Sequence, residues 1–439
     1  GIGHTRWATH GAPSVNNAHP HKAGPVAVVH NGIVENYRDL RAELAEHGVD
    51  FQTETDTETV ALMTEHHLNS GLSPVEAAFR TIDQLEGAFA LAFLFDGEDD
   101  LIVAARKGSP LAIGHGDGEM YVGSDAIALA PLTNQITYLE EGDRAVLTRT
   151  SLEIRNEAGE LANREKRKIK LDHARADKGE HKHFMAKEIA EQPIVVAEAI
   201  RSYLPTGGDR VVLPDTDLDF SKLDRLTMVA CGTAFYACLT AKYWFEQLAK
   251  MPVEVDIASE FRYREPPITD RTLALFVSQS GETADTLAAL RYCEGKAARI
   301  LSVVNVPESS IARESDLALP IMAGVEVGVA STKAFTTQLV GLLLLTVALG
   351  RGRALDATAE KHIAEALTRL LGVIDKALQM NSAIEKLAEQ FAEKNHALFL
   401  GRGIQYPIAM EGALKLKEIS YIHAEGYPAA EMKHGPIAL

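Results

Sequence analysis

The sequence predicts two differently built halves: an α+β half, then an α/β half with a doubly wound parallel sheet. Three observations carry this. Residues 1–155 hold short apolar, β-branched runs between turn signals, with helical patterns only between some of them. After Lys187, strand and helix patterns alternate, as in parallel sheets with crossover helices. Between the two, NEAGELANREKRKIKLDHARADKGEHK (156–182) is dense in charge and nearly free of aromatics, which suits a linker with at most one strand. The expected domains are therefore 1–155, a linker at 156–187, a first α/β domain at 188–355, and the start of a second at 356–439.

In the first half, strands are expected at Pro25–His30, Ala88–Phe95, Leu101–Ala105 and Arg144–Thr148. Two helices are expected, Glu35–His47 and Thr57–Asn69, because Leu40 and Leu44, and Val60, Met63 and Leu68, recur at helical spacing. In the second half Leu226–Ala230 runs into Cys231-Gly232-Thr233 and a helix to Leu248. Thr272–Val277 runs into Ser278-Gln279-Ser280-Gly281-Glu282-Thr283 and a helix to Tyr292. Strands follow at Ile300–Asn305 and Leu317–Met322, then Ser331-Thr332-Lys333 opens a long apolar helix. More helices start near Ala357, and His396–Leu400 begins a second unit with Gly401-Arg402-Gly403. The shared texture of Val229–Gly232 and Phe399–Gly403 hints at an internal duplication.

Composition narrows the function classes. Among 439 residues, 44 Lys and Arg face 61 Asp and Glu, a net charge of −17. Such a chain repels phosphate backbones and anionic lipid surfaces, so neither nucleic acid nor membrane is an expected partner. The longest apolar stretch, Leu339–Leu349, is about half a bilayer span and reads as a buried helix. Gly1-Ile2-Gly3-His4 has neither the basic nor the apolar run of a signal peptide. Three cysteines, Cys231, Cys238 and Cys293, lack zinc-site spacing and are too few for a disulfide framework. A soluble, cytoplasmic chain without a metal is expected. It opens without Met and stops abruptly at Leu439, as the interior of a longer protein would.

Three strand ends in the second half carry small hydroxyl or glycine residues directly before a helix. Such turns point backbone N–H groups and a positive helix end at a ligand, and a phosphorylated small molecule is the implied one. The alternative is that Ser and Thr only cap helices. Farther on, Glu411, Lys415 and Glu418 share one face of the helix Ala409–Ile419, as a solvated face with a Glu–Lys pair would too. His434, beside Gly435-Pro436, is placed as a general acid or base would be, though a lone His is more often structural. In the first half, Arg6, Trp7 and His10 crowd into HTRWATHG, Asn31-Gly32 follows a strand, and Asp56 precedes a helix. Arg can hold a carboxylate, Asp an ammonium, and Asn with a Gly N–H an oxyanion, a set that fits acyl transfer from an amino acid. Equally, Asp56 or Thr57 could cap a helix and Asn31-Gly32 form a hairpin turn.

HTRWATHG, NAHPH (17–21), HNGIVEN and ETDTE resemble the glutaminase domain of class II, N-terminal-nucleophile amidotransferases. ACGTA, SQSGETADT, VASTKAFTTQ, EGALKLKEISYIHAE and KHGP resemble the sugar isomerase (SIS) module of the glutamine–fructose-6-phosphate aminotransferase (isomerising) family. The resemblance covers essentially the whole chain. It implies an α+β N-terminal-nucleophile-type glutaminase domain followed by α/β SIS domains with doubly wound parallel sheets. The implied reaction moves ammonia from glutamine to fructose 6-phosphate, giving glucosamine 6-phosphate and glutamate, with no cofactor or metal.

By this resemblance Arg6 holds the glutamine carboxylate, His10 and Trp7 lie on the loop closing over it, Asp56 holds the ammonium, and Asn31 with Gly32 stabilises the oxyanion. Ser278, Gln279, Ser280 and Thr283 match the phosphate loop, and Cys231, Gly232, Thr233, Val329 and Ser331 other sugar-phosphate contacts. Glu418 matches the base moving a proton between C1 and C2, Lys415 its support, and His434 the ring-opening residue. A homodimer is implied, because sites of this family borrow a partner residue. Two family groups have no match here: the nucleophilic N-terminal Cys and a Schiff-base Lys near the C-terminus. The 439 residues alone are accordingly expected to be inactive. Ala234 stands where a hydroxyl residue is common. Two other readings are an amidotransferase or deglycase acting on another ketose phosphate, and a non-catalytic sugar-phosphate sensor. A sensor has no use for Arg6, Asn31 and Asp56.

Overall fold

The computed structural model describes residues 1–6, 10–169, 178–205, 208–214, 220–351 and 353–438. The chain forms two compact units, Gly1–Ala174 and Arg175–Leu439.

The first unit runs β1 (His21–Ala23), β2 (Val26–Val34), α1 (Tyr37–Glu46), α2 (Asp56–Asn69), α3 (Pro74–Gln84), β3 (Gly87–Phe95) and β4 (Ile102–Lys107). It continues through β5 (Ala112–His115), β6 (Met120–Gly123), α4 (Ala126–Leu129), β7 (Gln135–Tyr138), β8 (Arg144–Leu147), β9 (Leu152–Arg155) and β10 (Lys166–Lys168). Six strands form an antiparallel sheet in the order β1-β2-β3-β4-β8-β9, and four a second in the order β10-β7-β5-β6. The wholly apolar β3 explains the layering. Its odd positions, Phe89, Leu91, Phe93 and Phe95, pack with Leu40, Leu44, Val60, Met63 and Ile82 of the three helices. Its even position Ala90 packs with Leu111, Ile113 and Leu139 on the side of the second sheet. Period-two alternation of bulky and small residues thus sorts helices to one face and a second sheet to the other.

Several features differ from the sequence reading. Strand β2 does not turn at Asn31-Gly32 but continues to Val34, with Asn31 opposite Ala90 and Gly32 opposite Phe89. The hairpin-turn alternative is therefore overturned. Helix α3 was not anticipated, although Ser73 and Glu76 form a reciprocal capping box with Pro at the first turn.

The second unit opens with α5 (Phe184–Tyr203), which begins inside the segment read as linker; Pro193 within it masks the helical pattern. Then come β11 (Arg225–Ala230), α6 (Gly232–Leu248), β12 (Val253–Ile257), α7 (Ala258–Arg264), β13 (Thr272–Ser278), α8 (Ala284–Cys293), β14 (Arg299–Val304), α9 (Ser310–Glu314) and β15 (Leu317–Pro320). Next are α10 (Lys333–Arg351), α11 (Ala357–Leu378), α12 (Asn381–Ala388), β16 (His396–Gly401), α13 (Gln405–Ser420) and β17 (His423–Pro428). Five parallel strands lie in the order β12-β11-β13-β14-β15. The chain steps from β11 outward to β12, then crosses back to β13, so the order reverses between β11 and β13. Ligands of doubly wound sheets bind at such a reversal, outside the carboxyl ends of the strands.

The apolar stretch Leu339–Leu349 lies in α10. That helix is long and apolar enough to cross a bilayer by length and composition, yet 78% of its apolar window is buried within the fold. Strands β16 and β17 pair in parallel around α13, repeating the strand, glycine loop, helix, parallel strand pattern of β11, α6 and β12. This is the geometric counterpart of the hinted duplication.

Candidate functional site

In the second unit the loops after β11 and β13 flank the reversal point and open into a cavity of about 170 Å³. Cys231 and Thr233 contribute from the first loop, Ser278, Gln279, Ser280 and Thr283 from the second, and Ser331 from the start of α10. Gly232 takes φ +52 at the turn into α6. The long loop is tightly held. Ser278 Oγ accepts from the Gly281 N–H at 3.0 Å and lies 3.1 Å from Thr283 Oγ1. Ser280 Oγ accepts from the Glu282 N–H at 3.2 Å. Gly281 has φ +65, and a Cβ there would sit 1.9 Å from Ser309 Oγ, so only glycine fits.

Helix capping does not explain these residues. Cys231 and Thr283 occupy the N-cap positions of α6 and α8, but neither side chain makes a cap hydrogen bond. Among the described residues no side chain takes up the first N–H groups of either helix, which leaves them as donors for an anion. The third loop differs. Glu326 accepts from the N–H groups of Thr332 and Ala334 and from the Ser331 hydroxyl, so a carboxylate already occupies the N-terminus of α10. Val329 is 86% exposed and lies outside the cavity lining, while Ala234 adds only a methyl group to it.

Three lining or supporting groups escaped the sequence reading. Glu188 on α5 accepts from the N–H groups of Val327 and Gly328 at 2.6 and 3.0 Å, clasping the loop that carries Val329. Lys333, fully buried, pairs with Glu191 at 2.7 Å and ties α10 to α5. Gln338, also buried, lines the cavity.

Helix α13 brings Glu411 and Lys415 against the first loop. Thr233 Oγ1 donates to Glu411 Oε1 at 3.1 Å and accepts from Lys415 Nζ at 3.1 Å. Lys415 lies 3.4 Å from Glu411 and 2.8 Å from Glu418. Glu411 is buried, which lifts its carboxyl to about 7 against the pull of Lys415 and Thr233. The solvated-face alternative thus fails for Glu411, while Glu418 on the same face keeps about a third of its side chain exposed and pairs with Lys415. His434 ends a short 3₁₀ turn, Ala429–His434, and is exposed; among the described residues no hydrogen bond or ion pair joins it to Glu418. Burial raises the Cys231 thiol, whose sulfur accepts from Thr286 Oγ1 at 3.8 Å, so it is no ready nucleophile.

In the first unit Arg6, at φ +46, turns its guanidinium back on its own loop, donating to the carbonyls of His10, Gly11 and Ala12 at 2.5–3.1 Å. Trp7 lies outside the described residues. Asp56 is the first residue of α2, not its cap; Thr55 caps the helix by accepting from the Glu58 N–H. Asp56 Oδ2 accepts from the Val34 N–H at 2.9 Å and lies 3.8 and 4.0 Å from the Nδ1 atoms of His30 and His10. A carboxylate beside a positive helix end, flanked by imidazoles, can receive an ammonium group. Burial holds His30 at about 4 and His19 at about 3, so these rings are neutral near pH 7. Asn31 faces a larger cavity, about 740 Å³, which it shares with residues 1–5. Gly32 (φ +139) presses on β3 so closely that a Cβ would lie 2.0 Å from the Ala88 carbonyl oxygen.

Known proteins share both halves. Residues 4–131 match the glutamine amidotransferase domain family, and residues 219–348 and 390–439 match the SIS domain family. The chain is 54% identical over 440 residues to a glutamine–fructose-6-phosphate aminotransferase [isomerizing] of Brucella abortus, covering 100% of this chain and 72% of the relative. A protein of the same name from Bradyrhizobium diazoefficiens is 55% identical over 441 residues, with the same coverage. Among solved structures, the C-terminal domain of glucosamine-fructose-6-phosphate aminotransferase from Francisella tularensis superposes with a TM-score of 0.58 at 47% identity, covering 60% of this chain and 74% of that one. With identity at this level along its whole length, and both domains in the same order, the chain belongs to the glutamine–fructose-6-phosphate aminotransferase (isomerizing) family.

Proposed function

We propose that the protein moves the amide nitrogen of glutamine onto fructose 6-phosphate and isomerises the product, giving glucosamine 6-phosphate and glutamate. The observation that carries this reading is the hydroxyl-lined cavity between two uncapped helix ends at the strand-order reversal. In it, Ser278, Gln279, Ser280 and Thr283 bind the phosphate. Cys231, Gly232, Thr233, Val329 and Ser331 contact the rest of the sugar phosphate. Glu418 takes a proton from C1 and returns it to C2, Lys415 orients Glu418 and the sugar hydroxyls, and His434 assists ring opening. In the first unit Arg6 holds the glutamine carboxylate on a loop shared with Trp7 and His10, and Asp56 holds its ammonium. Asn31 and the Gly32 N–H receive the oxyanion.

The same reading assigns residues 1–155 to glutamine hydrolysis, 156–187 to a linker, 188–355 to a first sugar isomerase domain and 356–439 to a second. It takes the protein as a cytoplasmic homodimer. The net charge of −17 supports small-molecule substrates over nucleic acid or membrane.

Site-separated variants of the full-length protein test it. Asp56→Ala should cut glutamine hydrolysis by at least about thirtyfold, the loss of one charge-assisted contact, and leave fructose 6-phosphate affinity unchanged. Ser280→Ala should do the reverse. Loss of both properties in either variant, or of neither, contradicts the assignment.

A further inference from the structure

We infer that Gln338 is a further ligand-binding residue, its side-chain amide donating to a phosphate oxygen of the sugar phosphate; this rests on the proposed reading of the cavity. Gln338 sits within α10, is only 1% exposed, and lines the cavity with Thr233, Ser278, Ser280 and Thr283. Its Oε1 is buried and, among the described residues, has no hydrogen-bond partner. A buried amide left unsatisfied costs stability, and native folds rarely keep one without a role. With Oε1 shut away, the NH₂ group is the end that Gln338 can offer to the cavity.

The cavity's chemistry says what that donor meets. Its volume of about 170 Å³ is below the ~300 Å³ at which pockets begin to enclose a whole drug-sized ligand, so it suits a phosphate and its nearest carbons. The ends of α6 and α8 and the hydroxyls of Ser278, Ser280 and Thr283 all favour negative oxygen there. The neighbouring Ala234 brings no polar group. An amide NH₂ adds a donor to this cradle from a third helix, and from its interior rather than its end.

The orphaned carbonyl gives the test its discriminating power. If Gln338 served only the fold, both ends of the amide would be bonded and Gln338→Leu would lower the melting temperature. As a ligand group it behaves oppositely: Gln338→Leu should leave the ligand-free melting temperature equal or higher. The same variant should weaken fructose 6-phosphate and inorganic phosphate binding about tenfold in equilibrium titrations of the full-length protein. Gln338→Glu keeps the shape but places a carboxyl beside the phosphate. Its affinity deficit should widen from pH 5 to pH 8 as the phosphate gains its second charge, with a pKa of about 6.

Thr283→Val serves as the reference. If it weakens binding while both Gln338 variants bind as wild type, the inference on Gln338 is wrong and the cavity reading stands. If none of the three alters phosphate binding, the cavity reading itself fails. A Gln338→Leu protein with a lowered melting temperature and unchanged affinity also overturns the inference.

Discussion

Burial lifts the Glu411 carboxyl from its ordinary 4.5 to about 7. Because the folded protein keeps this proton longer than the unfolded chain, its contribution to stability is full below pH 4.5 and is lost as pH rises through about 7. Glu411→Gln holds the protonated shape permanently. Thermal melts across this range should therefore show wild type losing stability relative to the variant as pH rises; parallel curves would count against a raised carboxyl. The helical spacing of Glu411, Lys415 and Glu418 was legible in the sequence. That Glu411 is buried was not, because its partner Thr233 lies 178 residues away. Gln338 and Glu188 were hidden for the same reason, since polar residues within apolar helices carry no local mark of what they face.

At the scale of elements, Gly32 shows a strong local signal defeated by tertiary pairing. Asn-Gly is a hairpin-turn dipeptide, but here it lies in mid-strand, where the register from Asn31↔Ala90 to Val34↔Gly87 runs unbroken. The small residues of β3 allow that close approach. Gly32→Ala must put a methyl group against the Ala88 carbonyl at a positive φ, so the first unit should lose at least about 2 kcal/mol, read as a lower urea midpoint. An unchanged midpoint would contradict the register. Strong periodicity did reveal α1, α2, β3 and most strands of the parallel sheet. Helix α3 was overlooked although Ser73 and Glu76 announce it. The edge strand β12 was missed because Glu254 and Asp256 interrupt its apolar run, as the open side of a sheet tolerates.

At the scale of the whole molecule, each half carries one set of chemistry: an acid–imidazole–arginine cluster in the first unit and a hydroxyl-lined anion cavity in the second. The division was legible in composition, since the charge-dense segment separates a strand-rich texture from an alternating one. How residues of separate loops converge on one cavity became visible only with the strand order β12-β11-β13, a relation between distant segments. The proposed transfer takes nitrogen from the first set of groups to the second. It is tested most directly by giving the full-length protein fructose 6-phosphate and glutamine labelled with ¹⁵N at the side-chain amide, and analysing the sugars by mass spectrometry. The expected product is ¹⁵N-labelled glucosamine 6-phosphate, formed in step with glutamate. Glutamate and labelled ammonia without labelled amino sugar, or no glutamine turnover at all, would contradict it.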